Sequence, residues 1–151
     1  MEKITLKLGE ILQLESEING FVDPQTGNQL FEGFTKQNLP IILKYELSDL
    51  SKELKAERTK VEELRDELIK KYGEDDGKGG IMVKMYSEVK DEEGNVISSP
   101  INPKYIDFDK DYGSLLNQDK EIEVPEITKD DLKEAGKSKD QYVILFKLVK
   151  K

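Results

Sequence analysis

Asp107, Asp109 and Asp111 place carboxylates at alternate positions, as the opening of a calcium-binding loop does. The rest of such a loop fails here. Tyr112 stands where the sharp turn needs Gly, and Gln118 stands where a bidentate Glu would close the shell. Gly77, Gly79 and Gly80 invite a phosphate-cradling reading. That reading is poor, because the residues after them alternate like a strand, whereas phosphate loops open into a helix N-terminus. Lys44, Arg58 and Arg65 recur along one edge of a charged stretch, with Tyr45 beside them. Cations on one edge suit an anionic small molecule or an acidic partner surface, and Tyr45 could stack on such a ligand. Carboxylates for general acid–base work are abundant, but among 32 acids nothing singles out a pair.

The chain has no Cys and no His. Thiolate catalysis, disulfides, Cys/His zinc sites and His-based triads are thereby excluded. The residues therefore point to a non-enzymatic protein with no catalytic residues, no metal ligands and no cofactor.

The element that must position the basic edge is the stretch from Asn38 to Gly73. Asn38-Leu39-Pro40 reads as a helix start, with Asn capping and Pro in the first turn. Lys70-Lys71-Tyr72-Gly73 reads as a stop, with two cations at the negative end of the dipole and Gly past the end. Between them Leu43, Leu47, Leu50, Leu54, Val61, Leu64 and Leu68 keep a seven-residue repeat, and Glu57 is the only polar residue in that seam. The flanking positions make one edge basic (Lys44, Ser51, Arg58, Arg65) and the other mainly acidic (Glu46, Glu53, Lys60, Glu67). Glu53 would face Arg58 across a parallel pair, so the pattern leans towards parallel self-association and a homo-oligomer. The same stripe also suits packing on the rest of its own chain. Glu57 beside Arg58 reads as a snorkelling pair that sets register, or as a buried contact to a partner.

Around this helix the pattern predicts an α+β, mainly helical fold, with shorter helices and a small antiparallel β element. A brief strand at Ile4–Leu8 leads into a short helix that Gly20 stops. Turn chemistry follows at Asp23–Asn28, and Leu30, Phe31 and Phe34 are apolar anchors. A half-buried strand is expected from Ile81 towards Val89, with a turn at Asp91–Asn95 and a return through Val96-Ile97. Asn102-Pro103 repeats the capping device before an aromatic helix that reaches Asn117. Glu121–Val124 reads as an acidic strand and Thr128 as a cap for a short helix stopped by Gly136. Ser138–Gln141 reads as a capping box for a terminal helix carrying Tyr142, Leu145, Phe146 and Val149, with a strand through Val143–Phe146 as the rival. No second core is visible, so a single domain 1–151 is expected, in segments 1–37, 38–73, 74–127 and 128–151.

Net charge is −8, and the surplus acid lies mostly after Gly73. This argues against direct nucleic-acid binding, which needs a clustered basic surface. No apolar run is long enough to span a bilayer and no secretory leader is visible.

Leu39-Pro40, Lys44-Tyr45-Glu46-Leu47 and the charged helix ending Lys71-Tyr72-Gly73 resemble a group of short tailed-bacteriophage accessory proteins with a long charged central helix. Asn102-Pro103, Leu115-Leu116-Asn117 and Glu121–Pro125 continue the likeness, whereas the loop at Gly77–Gly80 and the strand after it depart from it. The resemblance implies a viral protein made in the host cytoplasm and supplies no functional residues. The expectation is a phage-type binding protein that sequesters or inhibits a host protein or an anionic signalling molecule, as a host-defence antagonist. The alternative is a structural or assembly protein of the virion, a chaperone or coiled coil.

Overall fold

The first strand and an acidic strand far along the chain find each other. In the computed structural model, which describes residues 2–134 and 142–149, β1 (Glu2–Lys7) pairs antiparallel with β8 (Asp119–Val124). Alternation decides the faces. Leu6, Ile122 and Val124 turn into the core, and Lys7 stands opposite Asp119, with its ammonium 2.7 Å from that carboxylate. The fold is α+β and mainly helical, with about half of the residues in helices and about a fifth in strands. Every sheet among the described residues is a two-stranded antiparallel pair.

The chain divides into two compact units, one comprising Met1–Thr59 with Gln118–Lys151 and the other Lys60–Asn117. In the first, α1 (Leu8–Asn19) buries Ile11, Leu14 and Ile18, and also Glu15 and Glu17. Gly20, at φ 74°, ends the helix and opens a hairpin of β2 (Gly20–Val22) and β3 (Gln29–Glu32). The Asp23–Asn28 turn joins the two strands, and Asp23 and Asn28 share a backbone hydrogen bond. The backbone of Gly33 lies hard against the end of α1. A Cβ there would strike the Ile18 carbonyl oxygen and the Asn19–Gly20 peptide. A short 3-10 turn, Phe34–Lys36, then buries Phe34.

The long helix α2 runs from Ile41 to Tyr72. It starts later than Asn38 predicts: the Pro40 carbonyl accepts from the Lys44 N–H, so Pro40 stands just outside the first turn. Its end is as predicted, with the Gly73 N–H closing onto the Ile69 carbonyl. Leu43, Leu47, Leu50 and Leu54 join the core with Ile11, Ile18 and Phe34. Thr128 opens α4 (Lys129–Glu134) with a reciprocal cap, since its hydroxyl accepts from the Asp131 N–H and its own N–H donates to the Asp131 carboxylate. The predicted stop at Gly136 and the box at Ser138–Gln141 lie outside the described residues. The terminal segment is helical, not a strand: α5 (Val143–Leu148) buries Ile144 and Leu145.

In the second unit the strand expected from Ile81 to Val89 is broken. β4 (Glu74–Asp75) pairs with β5 (Ile81–Met82), Tyr86 bridges Ile101 alone, and β6 (Val89–Lys90) pairs with β7 (Val96–Ser98). These strands are exposed rather than half-buried. The turn between β6 and β7 is the predicted one, with Asp91 Oδ1 accepting from the Glu93 and Asn95 N–H groups. The Asn102 side chain caps α3 (Pro103–Leu116) by accepting from the Lys104 N–H, and Pro103 takes the first turn.

Candidate functional site

The basic edge is divided between the two units. The Arg58 guanidinium turns into the first unit, where its Nε lies 2.5 Å from Glu15 Oε2. It also donates to the Leu12 carbonyl and to Ser16 Oγ. These donors are engaged by α1 rather than offered along an outer edge as the spacing suggests. Tyr45 is exposed and Lys44 half-buried, and Arg65 lies in the second unit, 3.9 Å from Asp66.

The seam divides as well. Leu43, Leu47, Leu50 and Leu54 pack into the core of their own chain. Glu57, the polar residue in the seam, is buried and meets Lys120 of β8 at 3.3 Å. Glu57 and Arg58 thus each take a partner far along the chain. Val61 is buried, Leu68 is half-buried and Leu64 remains 42% exposed.

The second unit places apolar side chains outside. Val61 is its only buried residue among those described, and α3 buries none. Leu64, Met82, Met85, Tyr86, Ile97 and Ile101 are each roughly half exposed or more. From Gly94 to Pro103 there is no charged residue, in a chain that is 37% charged. Leu64 and Leu68 of α2 and Leu115 of α3 line a groove of about 370 Å³, with Glu67 and Lys71 also lining it. Near it the Tyr72 hydroxyl donates to Asp111 at 2.6 Å, and this bond raises its pKa. The Lys71 ammonium stands 4.9 Å from the centre of the Tyr72 ring, and the Tyr72 hydroxyl followed by Asp111 and Asp107 raises the Lys71 pKa. Asp107, Asp109 and Asp111 lie in helix α3 rather than in a loop. Among the described residues no group of three or more acidic side chains is arranged to hold a metal.

A second cavity, of about 250 Å³, lies in the first unit. Gln13, Ser16 and Glu17 line it from one stripe of α1, at i, i+3 and i+4. Phe21 and Phe31 line it from the hairpin, where they are direct cross-strand partners with ring centres 5.7 Å apart. Glu17 is 3% exposed. Its carboxylate accepts from the Ile144 and Leu145 N–H groups at 2.9 to 3.2 Å, satisfying the first turn of α5. Burial raises its pKa, against the pull of those two N–H groups and of Lys147. Lys147 itself pairs with Glu10 at 2.9 Å, and that hydrogen bond, ahead of one from the Lys7 N–H, lowers the Glu10 pKa. Tyr142 packs against Phe31 and Phe34, with ring centres 5.6 and 5.4 Å away. Its buried hydroxyl lacks a hydrogen bond of good geometry among the described residues, although Gln37 is close enough to influence it, and burial raises its pKa.

Sequence reasoning missed Glu17 entirely. The signal was a carboxylate on the apolar stripe of a short helix, with no cation in its own turn. Comparison with protein-family models, with curated proteins and with solved structures finds no match.

Proposed function

We propose that this chain is a non-enzymatic binding protein whose second unit docks on a partner protein. The observation that supports this reading is the apolar surface of that unit, where every described apolar residue except Val61 is at least partly exposed. Many exposed apolar side chains on a highly charged chain support an interaction face. Met82 and Met85 add adaptable, polarizable side chains to it. The unit holds more acids than bases, which favours a partner with a basic rim. The resemblance to tailed-phage accessory proteins makes that partner a host protein met in the host cytoplasm, and the outcome its sequestration or inhibition. Capture of an anionic small molecule by the basic edge loses its main support, because Arg58 is engaged by Glu15.

The test compares proteins retained from a bacterial lysate by the wild type and by Leu64→Glu and Ile97→Glu variants. Both positions are exposed, so melting temperature should hold. A protein retained by the wild type and lost from both variants supports the reading. The same retained set for all three chains overturns it.

A further inference from the structure

We infer that the cavity between α1 and the β2–β3 hairpin is a binding site for a small organic cation, a quaternary or primary ammonium. This goes beyond the docking role of the second unit and does not depend on it.

Charge makes the first argument. Two of the three carboxylates carried by α1 have cations of their own. Glu10 holds Lys147 at 2.9 Å and Glu15 holds Arg58 at 2.5 Å. Glu17 has none within ion-pair distance among the described residues, and its partners there are two backbone N–H groups. Those groups carry only partial charges, and Lys147 acts on Glu17 only from beyond ion-pair distance. A buried carboxylate without a cation is costly, and a ligand cation relieves that cost.

Shape and surface make the second. The lining from the hairpin is aromatic. Phe31 is almost fully buried and held by Tyr142, whereas Phe21 is 48% exposed at the mouth. Phe21 and Phe31 are tilted by 43°, so the two rings present differently oriented π surfaces to the same space. Aromatic rings and a carboxylate residue lining one space are the chemistry that recognises ammonium groups, through cation–π and charge attraction. Ser16 and Gln13 add polar atoms on the α1 side. A volume of about 250 Å³ admits a few methyl or methylene groups around one nitrogen and little more. The same walls disfavour anions, because Glu17 repels them and the neighbouring cations are already paired.

Choline is the probe, titrated by NMR and by calorimetry against the full chain. Its uncharged isostere, in which carbon replaces the quaternary nitrogen, is the control. Binding should shift the resonances of Phe21 and Phe31, and the isostere should bind roughly tenfold more weakly. Glu17→Gln should weaken choline by a similar factor without affecting the isostere. That variant also alters the cap of α5, so Phe21→Ala provides a second reading at the half-exposed mouth, away from the cap. It should weaken choline while the melting temperature stays within a few degrees. Equal affinity for choline and its isostere, shifts confined to other residues, or choline binding unchanged in Phe21→Ala would each overturn the assignment, as would the absence of any binding at millimolar probe. None of these results bears on the second unit, and retention of a partner there leaves this site untouched.

Discussion

Arg58 and Glu15 are 43 positions apart in the chain, and their side chains meet at 2.5 Å across the contact between α2 and α1. The guanidinium is about one-third exposed and the carboxylate about one-tenth. The same arginine donates to the Leu12 carbonyl at 2.7 Å and Ser16 Oγ at 2.9 Å. One side chain thus ties three residues on one stripe of a short helix to a long one.

Arg58→Ala should therefore destabilise the chain by about 2 kcal/mol, because it leaves a nearly buried carboxylate without its cation. The partial exposure of Arg58 keeps the cost below that of a fully buried pair. Urea unfolding of Arg58→Ala, Glu15→Gln and the double variant measures it. The coupling should be clearly non-zero, since the two residues share a contact. Additive losses would mean that Arg58 acts through Leu12 and Ser16 instead.

The two halves of the heptad seam should behave differently. Leu54 is fully buried in the core of the first unit, whereas Leu64 is 42% exposed. Leu54→Ala should cost about 3 kcal/mol from lost transfer energy and a cavity. Leu64→Ala should stay within about 0.5 kcal/mol, as surface changes do. Similar costs at both positions, with a concentration-dependent midpoint, would instead point to a seam filled along its whole length by a second chain.

This contrast shows how far the residues alone carry the fold. Heptad spacing identifies a long helix and its buried stripe, because burial of a stripe is dictated by helix geometry wherever the partner lies. It does not say whether the partner is the same chain. Arg58 reads as part of a basic outer edge because its position on the helix is local information, while Glu15 is not. The caps at Asn102 and Thr128 are legible because each is satisfied within a few residues. Glu17 is not legible, since its acceptors are matched by N–H groups 127 and 128 positions away. The β2–β3 hairpin escaped because Gln29-Leu30-Phe31-Glu32 has no alternation, and the tight seat of Gly33 against the end of α1 leaves no mark in the local pattern.

That seat gives a third prediction. Gly33 has an ordinary backbone conformation, so a side chain there is opposed by contact alone and not by dihedral preference. Gly33→Ala should cost about 2 kcal/mol or more, because backbone atoms of Ile18, Asn19 and Gly20 must give way. Gly27 is the comparison, with φ 72° and open space around it. Gly27→Ala should cost about 1 kcal/mol, from the left-handed conformation only. Thermal unfolding of the two variants separates steric from conformational cost. A Gly33→Ala chain as stable as Gly27→Ala would mean that the hairpin can lift from α1 without loss.

Glu17 and Glu10 should give stability opposite dependences on pH. Burial holds Glu17 above its ordinary value of 4.5 in the folded chain, so folding favours its protonated form. Its contribution is then fully present below pH 4.5 and is lost as pH rises through the folded value. The Lys147 ammonium and the Lys7 N–H hold Glu10 below 4.5, so its contribution is present above that pH and is lost as pH falls through the folded value. Chemical unfolding of Glu17→Gln and Glu10→Gln beside the wild type, from neutral pH down through 4.5, isolates each effect. Relative to the wild type, Glu17→Gln should be at its best at neutral pH and fall behind on acidification. Glu10→Gln should be at its worst at neutral pH and recover. Salt should shrink the Glu10 difference, because Lys147 is more than half exposed, and should leave that of Glu17 nearly unchanged, because its largest cause is burial rather than a screened charge. A Glu17→Gln difference that is flat with pH would mean that the two N–H groups of α5 hold the carboxylate as strongly as burial opposes it.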